Sequence, residues 1–253
     1  MKIALITGAS SGIGKETAII FAKNGYNLIL CARRTEILSK LSQEIISLYN
    51  VKVYPITLDI RNSKQVQTQL NNLPLEWTHI DVLINNAGLA LGLNTIDEGI
   101  IDNWEKMIDT NLKGLLYMTK YSIPYLLKSS QAHIINIGSI AGKETYLNGN
   151  VYCATKHAVN SLTKAMRIDL LKKNIKVSQI APGAVETEFS IVRYKGDKKR
   201  ADNVYKNYKP LTGADVAEAI YYVTSLPPHV NINDLVIMPT AQASAGIFNK
   251  KNQ

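Results

Sequence analysis

Residues 3–14, I-A-L-I-T-G-A-S-S-G-I-G, constrain the fold more than any other stretch of the chain. A short apolar run leads into Gly8, and Gly12 and Gly14 open an amphipathic run over 12–24 that Gly25 stops. This reads as a strand, a tight turn and a helix. Glycines at such a turn let the backbone approach a ligand closely. The helix N-terminus then offers unpaired N–H groups and a positive dipole end to a phosphate. The spacing is G-x-x-x-G-x-G rather than G-x-G-x-x-G, and no G-K-[S/T] follows in P-loop fashion. A ligand-free tight turn would use the same glycines, so the motif draws its weight from its surroundings.

Those surroundings alternate. Apolar runs at 3–6, 27–31, 51–58, 80–84, 132–137, 176–180 and 234–238 read as strands. The stretches 12–24, 35–49, 63–71, 102–127, 151–173 and 213–225 read as helices. Pro55 weakens the middle of the third strand. Strands alternating with helices predict an α/β fold, a Rossmann-type doubly wound parallel sheet of about seven strands with helices on both faces. One domain, 1–253, accounts for the whole pattern. Only 186–212 lacks a clear element, and long irregular segments in compact domains are often lids.

Composition narrows the function classes. The chain has 253 residues, 46% of them apolar and 19% charged, an ordinary balance for a globular protein. No apolar run approaches the ~20 residues of a membrane span, and the first apolar run is too short for a secretory signal. Cys31 and Cys153 form neither a disulfide framework nor a metal-ligand spacing, and read as reduced thiols of a cytoplasmic protein. The four histidines show no ligand pattern, so no metal is expected. The formal charge of +9 suits nucleic acid or any other anionic ligand. The basic residues are spread out, apart from a local excess at 193–209, where Arg193, Lys195, Lys198, Lys199, Arg200, Lys206 and Lys209 outnumber Asp197 and Asp202. No zinc-finger or RNP-like motif accompanies them, so neither nucleic acid nor membrane is expected as a partner.

At the end of the second strand, about 20 residues past the glycines, an acid would hold a ribose 2′-hydroxyl. This chain has Arg33 and Arg34 there, and its first acid is Glu36. Two guanidiniums near a helix start oppose the helix dipole. A 2′-phosphate, which guanidinium grips bidentately, is a reason to place them there, although both could simply face water. The expectation is NADP(H) rather than NAD(H). Asp59, ending the third strand, could accept from an adenine amine or cap the following helix. Asn85-Asn86-Ala87-Gly88 ends the fourth strand with amide and small groups, which suit either a cofactor pressing on backbone or a plain turn.

Three polar positions stand out further on. Asn111 lies on the apolar stripe Trp104, Met107, Ile108, Leu115 and Met118. A buried amide is costly unless hydrogen-bonded, so it is either satisfied by backbone or holds a water in a relay. Ser139 follows the strand H-I-I-N-I-G, where open α/β sheets bind ligands, and is either a donor to a substrate oxygen or a turn residue. Tyr152 and Lys156 lie one turn apart on a helix nearly free of charge. That helix is expected to be buried on most sides. A neighbouring cation favours phenolate and lowers a tyrosine pKa from its usual ~10, giving a usable acid/base.

The ordered set G-A-S-S-G-I-G, N-N-A-G, Asn111, Ser139, Y-C-A-T-K and Pro182-Gly183 resembles the short-chain dehydrogenase/reductase family over essentially the whole chain. The resemblance implies hydride transfer between a nicotinamide and a carbinol or carbonyl carbon. It implies Tyr152 as acid/base, Lys156 on the ribose and lowering the tyrosine pKa, Ser139 on the substrate oxygen, and Asn111 with a proton-relay water. Gly8, Gly12 and Gly14 would shape the pyrophosphate site, with Ser10, Ser11 and Ile13 also against the cofactor. Asp59 would meet the adenine, Asn85 the adenosine side and Thr187 the nicotinamide amide, with Ala87, Pro182, Gly183 and Val185 also against the cofactor. The segments I-N-I-G-S-I-A-G-K, V-E-T-E-F-S-I-V-R-Y-K-G-D and S-L-P-P-H-V-N-I-N-D-L-V-I-M-P-T-A-Q-A resemble its NADP-dependent 3-hydroxy acid dehydrogenase branch, which includes serine and L-allo-threonine dehydrogenases. That likeness implies small 3-hydroxy acids or aldehydes such as malonic semialdehyde as substrates, and a homotetramer. The charge-poor stretches 104–127 and 151–166 suit an oligomer interface. In this setting Arg193, and after it Lys195, would clamp a substrate carboxylate, unless 193–209 is only a solvated cationic face. Carbonyl or 3-oxoacyl-thioester reduction, and a non-catalytic NADP-binding sensor or scaffold, remain the competing readings.

Overall fold

In a computed structural model describing residues 1–250, the chain runs β1 (Ile3–Thr7), α1 (Gly12–Lys23), β2 (Asn27–Ala32), α2 (Thr35–Leu48), β3 (Val53–Thr57), α3 (Ser63–Asn71), β4 (Val82–Asn85) and α4 (Ile101–Ile108). It continues through α5 (Leu115–Leu126), β5 (His133–Ile137), α6 (Asn150–Asp169), β6 (Lys176–Pro182), β7 (Val185–Glu186), α7 (Phe189–Arg193), α8 (Lys198–Val204), β8 (Leu211–Thr212), α9 (Gly213–Ser225) and β9 (Asp234–Ile237). Seven strands form one parallel sheet in the order β3-β2-β1-β4-β5-β6-β9. The predicted doubly wound α/β fold is the observed one.

Successive strand residues face opposite sides. In β1, Ile3 and Leu5 join Met118, Val159 and Met166 under α5 and α6. Ala4 and Ile6 join Phe21, Leu38, Ile45 and Ile220 under α1, α2 and α9. Each such large side chain removed from water contributes roughly 1.5–3 kcal/mol before conformational entropy is subtracted. Burial on both faces explains why the strands read as continuous apolar runs rather than alternating ones. Pro55 is tolerated because β3 is an edge strand.

Two helical expectations are corrected. The stretch 102–127 is interrupted by a π-helical turn, Asp109–Gly114, between α4 and α5. At its end the backbone packs tightly on the Ile60 side chain, which a Cβ on Gly114 would approach to 2.6 Å. The helix expected over 151–173 ends at Asp169, and it buries one face only. Ala154, Ala165 and Ile168 on the other face are exposed. The segment 186–212, left without structure by the sequence, holds the short helices α7 and α8 and closes with a two-residue parallel pairing of β7 with β8.

Candidate active site

The strand order reverses between β1 and β4, and ligands of open α/β sheets bind at the strand ends beside such a point. An elongated cavity of about 410 Å³ opens there. One end is walled by Arg33, Arg34, Asp59 and Arg61, the middle by Gly8, Ser10, Ser11, Gly12 and Ile13, and the other end by Ser139, Tyr152 and Lys156. Ala87, Pro182, Gly183, Val185 and Thr187 complete the wall.

The glycine turn is shaped by close approach. Gly8 and Gly12 have φ of +66° and +53°, values that favour glycine. A Cβ on Gly8 would lie 2.9 Å from the Ala87 backbone, and one on Gly14 would lie 2.4 Å from the Gly8 carbonyl oxygen. Gly14 is therefore a packing glycine and stands outside the cavity wall, a correction to its expected place. Ser11 caps α1 without a side-chain hydrogen bond, and the first turn carries no acid, which leaves the helix N–H groups to a ligand. Asn86 ties this turn to β4. Its Nδ2 donates to the Thr7 and Gly8 carbonyls at 2.9 and 3.3 Å, and the Thr7 hydroxyl accepts from the Asn86 and Ala87 N–H groups.

At the basic end, Arg34 donates to the Ser10 hydroxyl and carbonyl and pairs with Glu188 at 2.8 Å. Arg33 has no carboxylate partner among the described residues. Asp59 does not cap α3, which Asn62 does, and its carboxylate is gripped by Arg61 at 2.6–3.0 Å. Arg61, then burial acting against it, then Arg33 nearby, leave Asp59 below the usual carboxylate range. An open guanidinium beside a glycine cradle fits a dinucleotide carrying an extra phosphate.

Two expected cofactor or relay residues are spent elsewhere. Asn85 is buried off the cavity, donating to Thr119 and Asn136 at 2.9 Å each. It is the last strand residue and faces the α5 side, whereas Asn86, one step on, reaches the turn. Asn111 accepts from the Leu89 N–H and donates to the Leu89 carbonyl and to Thr155, so its side chain is satisfied by protein, chiefly backbone.

At the reactive end, the hydroxyl of Ser139, which starts a short 3₁₀ turn, accepts from the Ala141 N–H. Tyr152 and Lys156 do share the cavity-facing side of α6. Lys156 is 7% exposed, and its ammonium donates to the Ile137 carbonyl at 2.8 Å. Burial lowers its pKa to about 8. The expected lowering of Tyr152 by Lys156 is not what the geometry gives. Burial dominates and raises the phenol well above its usual range, the nearby Tyr146 adds to this, and Ser139 and Arg193 oppose it. Arg193 stands over both rings, 5.6 Å from the Tyr152 centroid and 5.5 Å from that of Tyr146. It lies outside the wall of the main cavity, a correction to its expected place, and lines a small hollow on the other side of Tyr152 with Gly92, Asn103 and Trp104. Its Nη2 donates to the Tyr146 hydroxyl at 2.7 Å and its Nε to the Gly92 carbonyl at 3.3 Å. Lys195 is exposed. Sequence reasoning missed Tyr146, Arg61 and Asn86. Only Asn86 carried a signal, as the second amide of N-N-A-G.

The family model for short chain dehydrogenases matches residues 2–197. The chain is 44% identical over 251 residues to the NADP-dependent 3-hydroxy acid dehydrogenase of Schizosaccharomyces pombe, covering 99% of this chain and 97% of that protein. It is 43% identical over 242 residues to sulfoacetaldehyde reductase 2 of Chromohalobacter salexigens, covering 95% of each. The closed form of a serine dehydrogenase complexed with NADP+ matches with a TM-score of 0.91 and 44% identity, over 99% of this chain and 100% of that one.

Proposed function

The chain belongs to the short-chain dehydrogenase family, and from that premise we propose that this NADP-dependent oxidoreductase interconverts small 3-hydroxy acids with the matching aldehydes or ketones. Serine, allo-threonine and 3-hydroxyisobutyrate are the substrates in mind for oxidation, and malonic semialdehyde for reduction. The observation that carries the substrate class is Arg193, a cation held over the Tyr152 ring with Nη1 free of hydrogen bonds among the described residues. A carboxylate there would be gripped while the hydroxyl carbon sits at the phenol. Sulfoacetaldehyde, named for one relative, is likewise an anionic aldehyde.

Bound NADP(H) supplies or accepts the hydride. The chain binds, orients and manages one proton. Arg33 and Arg34 would hold the 2′-phosphate, with Asp59 and Ala87 toward the adenosine. The Gly8–Ser11–Gly12 turn would hold the pyrophosphate, Lys156 the ribose, and Pro182, Gly183, Val185 and Thr187 the nicotinamide end. In reduction, the phenol of Tyr152, kept protonated by burial, donates its proton to the substrate oxygen while the Ser139 hydroxyl donates a hydrogen bond to it. In oxidation, Tyr152 must accept that proton, which favours alkaline pH. Asn111 contributes by fixing Leu89.

Residues 186–212 act as the lid over the substrate. The assembly is a homotetramer, supported by the exposed apolar positions Leu116 and Ile168, 37% and 75% exposed, on α5 and α6. No helix among the described residues is long and apolar enough to cross a membrane.

The test compares L-serine, 3-hydroxyisobutyrate and a neutral alcohol of similar size in wild type and Arg193→Ala. KM for the acids should rise about 10- to 100-fold, the scale of a lost charge-assisted contact, with little change for the alcohol. Equal effects on all three would remove the carboxylate clamp. Thioester turnover exceeding acid turnover would favour the 3-oxoacyl reductase reading.

A further inference from the structure

The chain after β9 folds back on itself instead of trailing off. The Ala243 N–H donates to the Ile247 carbonyl at 3.0 Å, and the Asn249 N–H to the Ala241 carbonyl at 2.7 Å, closing a small hairpin. Gln242 and Phe248 form its isolated antiparallel bridge. This hairpin touches the turn after β6, the loop after Ser139 and the segment 186–212 at once.

Its most buried contact is Gln242, 7% exposed. The Gln242 Oε1 accepts from the Ala184 N–H at 2.8 Å, and its Nε2 donates to the Ser244 carbonyl at 3.0 Å. Ala184 sits between Gly183 and Val185, both of which line the cavity. The fit is close, since a Cβ on Gly183 would lie 2.3 Å from Gln242 Oε1. A second contact reaches the loop after Ser139, where Glu144 Oε2 accepts from the Ala245 N–H at 2.9 Å. A third reaches the lid, where the Phe248 ring packs on Tyr208 with centroids 5.0 Å apart. A Cβ on Gly246 would lie 4.0 Å from the Cβ of Tyr146, whose hydroxyl accepts from Arg193.

We propose that residues 239–250 are a strap that positions the substrate end of the site, with Gln242 as the positioning residue for the Pro182–Val185 turn and Phe248 as the anchor of the lid. The strap acts through the turn, the Ser139 loop and the lid. Its reach stops short of the Arg33–Arg34–Asp59 end of the cavity, which none of these contacts touches. Losing the Gln242 acceptor orphans the Ala184 N–H and frees the turn that would face the nicotinamide. The inference rests on the NADP-dependent reading above and deepens it.

Two kinds of binding probe separate strap from fold. Adenosine 2′,5′-bisphosphate reports the basic end alone, and NADPH reports both ends; calorimetry measures each, beside turnover of the best hydroxy acid. In Gln242→Met, the bisphosphate affinity should stay within about twofold of wild type. NADPH affinity and kcat/KM should fall about tenfold, the scale of one orphaned buried donor. Gln242→Glu keeps an acceptor oxygen for Ala184 but sets an oxygen against the Ser244 carbonyl, and should recover only part of the loss. Phe248→Ala, made separately, should raise substrate KM and speed tryptic cleavage in the lysine-rich lid while leaving bisphosphate affinity unchanged. Parallel loss at both cavity ends in Gln242→Met, or no loss at either, would overturn the strap; so would a lid in Phe248→Ala as protease-resistant as wild type. A wild type that binds neither probe would overturn the cofactor reading itself, a result visible before any variant is made.

Discussion

The two ends of the cavity are built differently. At the adenosine end, β1, β2 and β4 lie in the middle of the sheet and are buried nearly throughout, and glycines are packed so tightly that no Cβ fits at Gly8 or Gly14 without movement. At the substrate end, the wall from 185 to 212 is made of short helices and a two-residue pairing, with Lys198, Lys199 and Arg200 in solvent. One end is a rigid cradle set by the fold. The other is an appended structure that can vary without endangering the core. On the proposed reading, one scaffold thereby fixes dinucleotide binding and leaves substrate choice adjustable.

The strongest way to break this contrast is at the cradle. Gly14→Val should destabilise the protein by several kcal/mol and abolish NADPH binding, because the clash is with backbone that has no room to yield. Thermal unfolding and calorimetry check both effects, and a normally folded, NADPH-binding variant would deny that the cradle is rigid. Next in size, Arg33→Ala with Arg34→Ala should cut the NADP+ over NAD+ preference about 100-fold, as two charge-assisted grips are lost. Steady-state kcat/KM with each cofactor reads this directly.

A pH prediction sharpens the comparison at the reactive end. Lys156 carries a folded-state pKa of about 8 against an ordinary 10.5. Below pH 8 the ammonium is charged in both folded and unfolded states, and its burial cost is fully present. Between about 8 and 10.5 the folded state gives up the proton first, so the unfolded state binds more protons and stability rises with pH. Urea unfolding of the cofactor-free protein should show wild type gaining on Lys156→Met across that window and running parallel to it below. The smallest effect belongs to the exposed surface of 186–212. Lys199→Ala should change stability by less than about 0.5 kcal/mol, as exposed positions without partners do.

How much of this was legible in sequence follows the same division. The central strands are readable because burial on both faces makes them unbroken apolar runs, and the glycine turn because its conformation admits few other residues. Ser139, Tyr152 and Lys156 are readable as polar groups at strand ends or in a charge-poor helix. The π-turn is hidden inside 102–127, because it goes with tertiary contacts, Asn111 with Leu89 and Gly114 with Ile60, and no local break in periodicity marks it. The same holds for Arg61, whose grip on Asp59 depends on a loop conformation, and for Gln242, whose partner lies 58 positions away. For the tyrosine, sequence spacing points to a lowered pKa and burial sets a raised one. Helical spacing puts Lys156 one turn from Tyr152, but the carbonyl of Ile137 captures the ammonium, and burial then dominates the phenol.

The central claim is that a buried, protonated Tyr152 exchanges a proton with small hydroxy acids in an NADP-bound site. The most direct test follows NADPH absorbance with wild type and Tyr152→Phe, supplying L-serine, L-allo-threonine and 3-hydroxyisobutyrate with NADP+ or NAD+ from neutral to alkaline pH. The account predicts wild-type turnover with NADP+ that climbs as pH rises, a loss of roughly 10²–10⁴-fold in Tyr152→Phe, and NADPH binding preserved in that variant. Turnover that survives in Tyr152→Phe, or that runs equally well with NAD+, would contradict it.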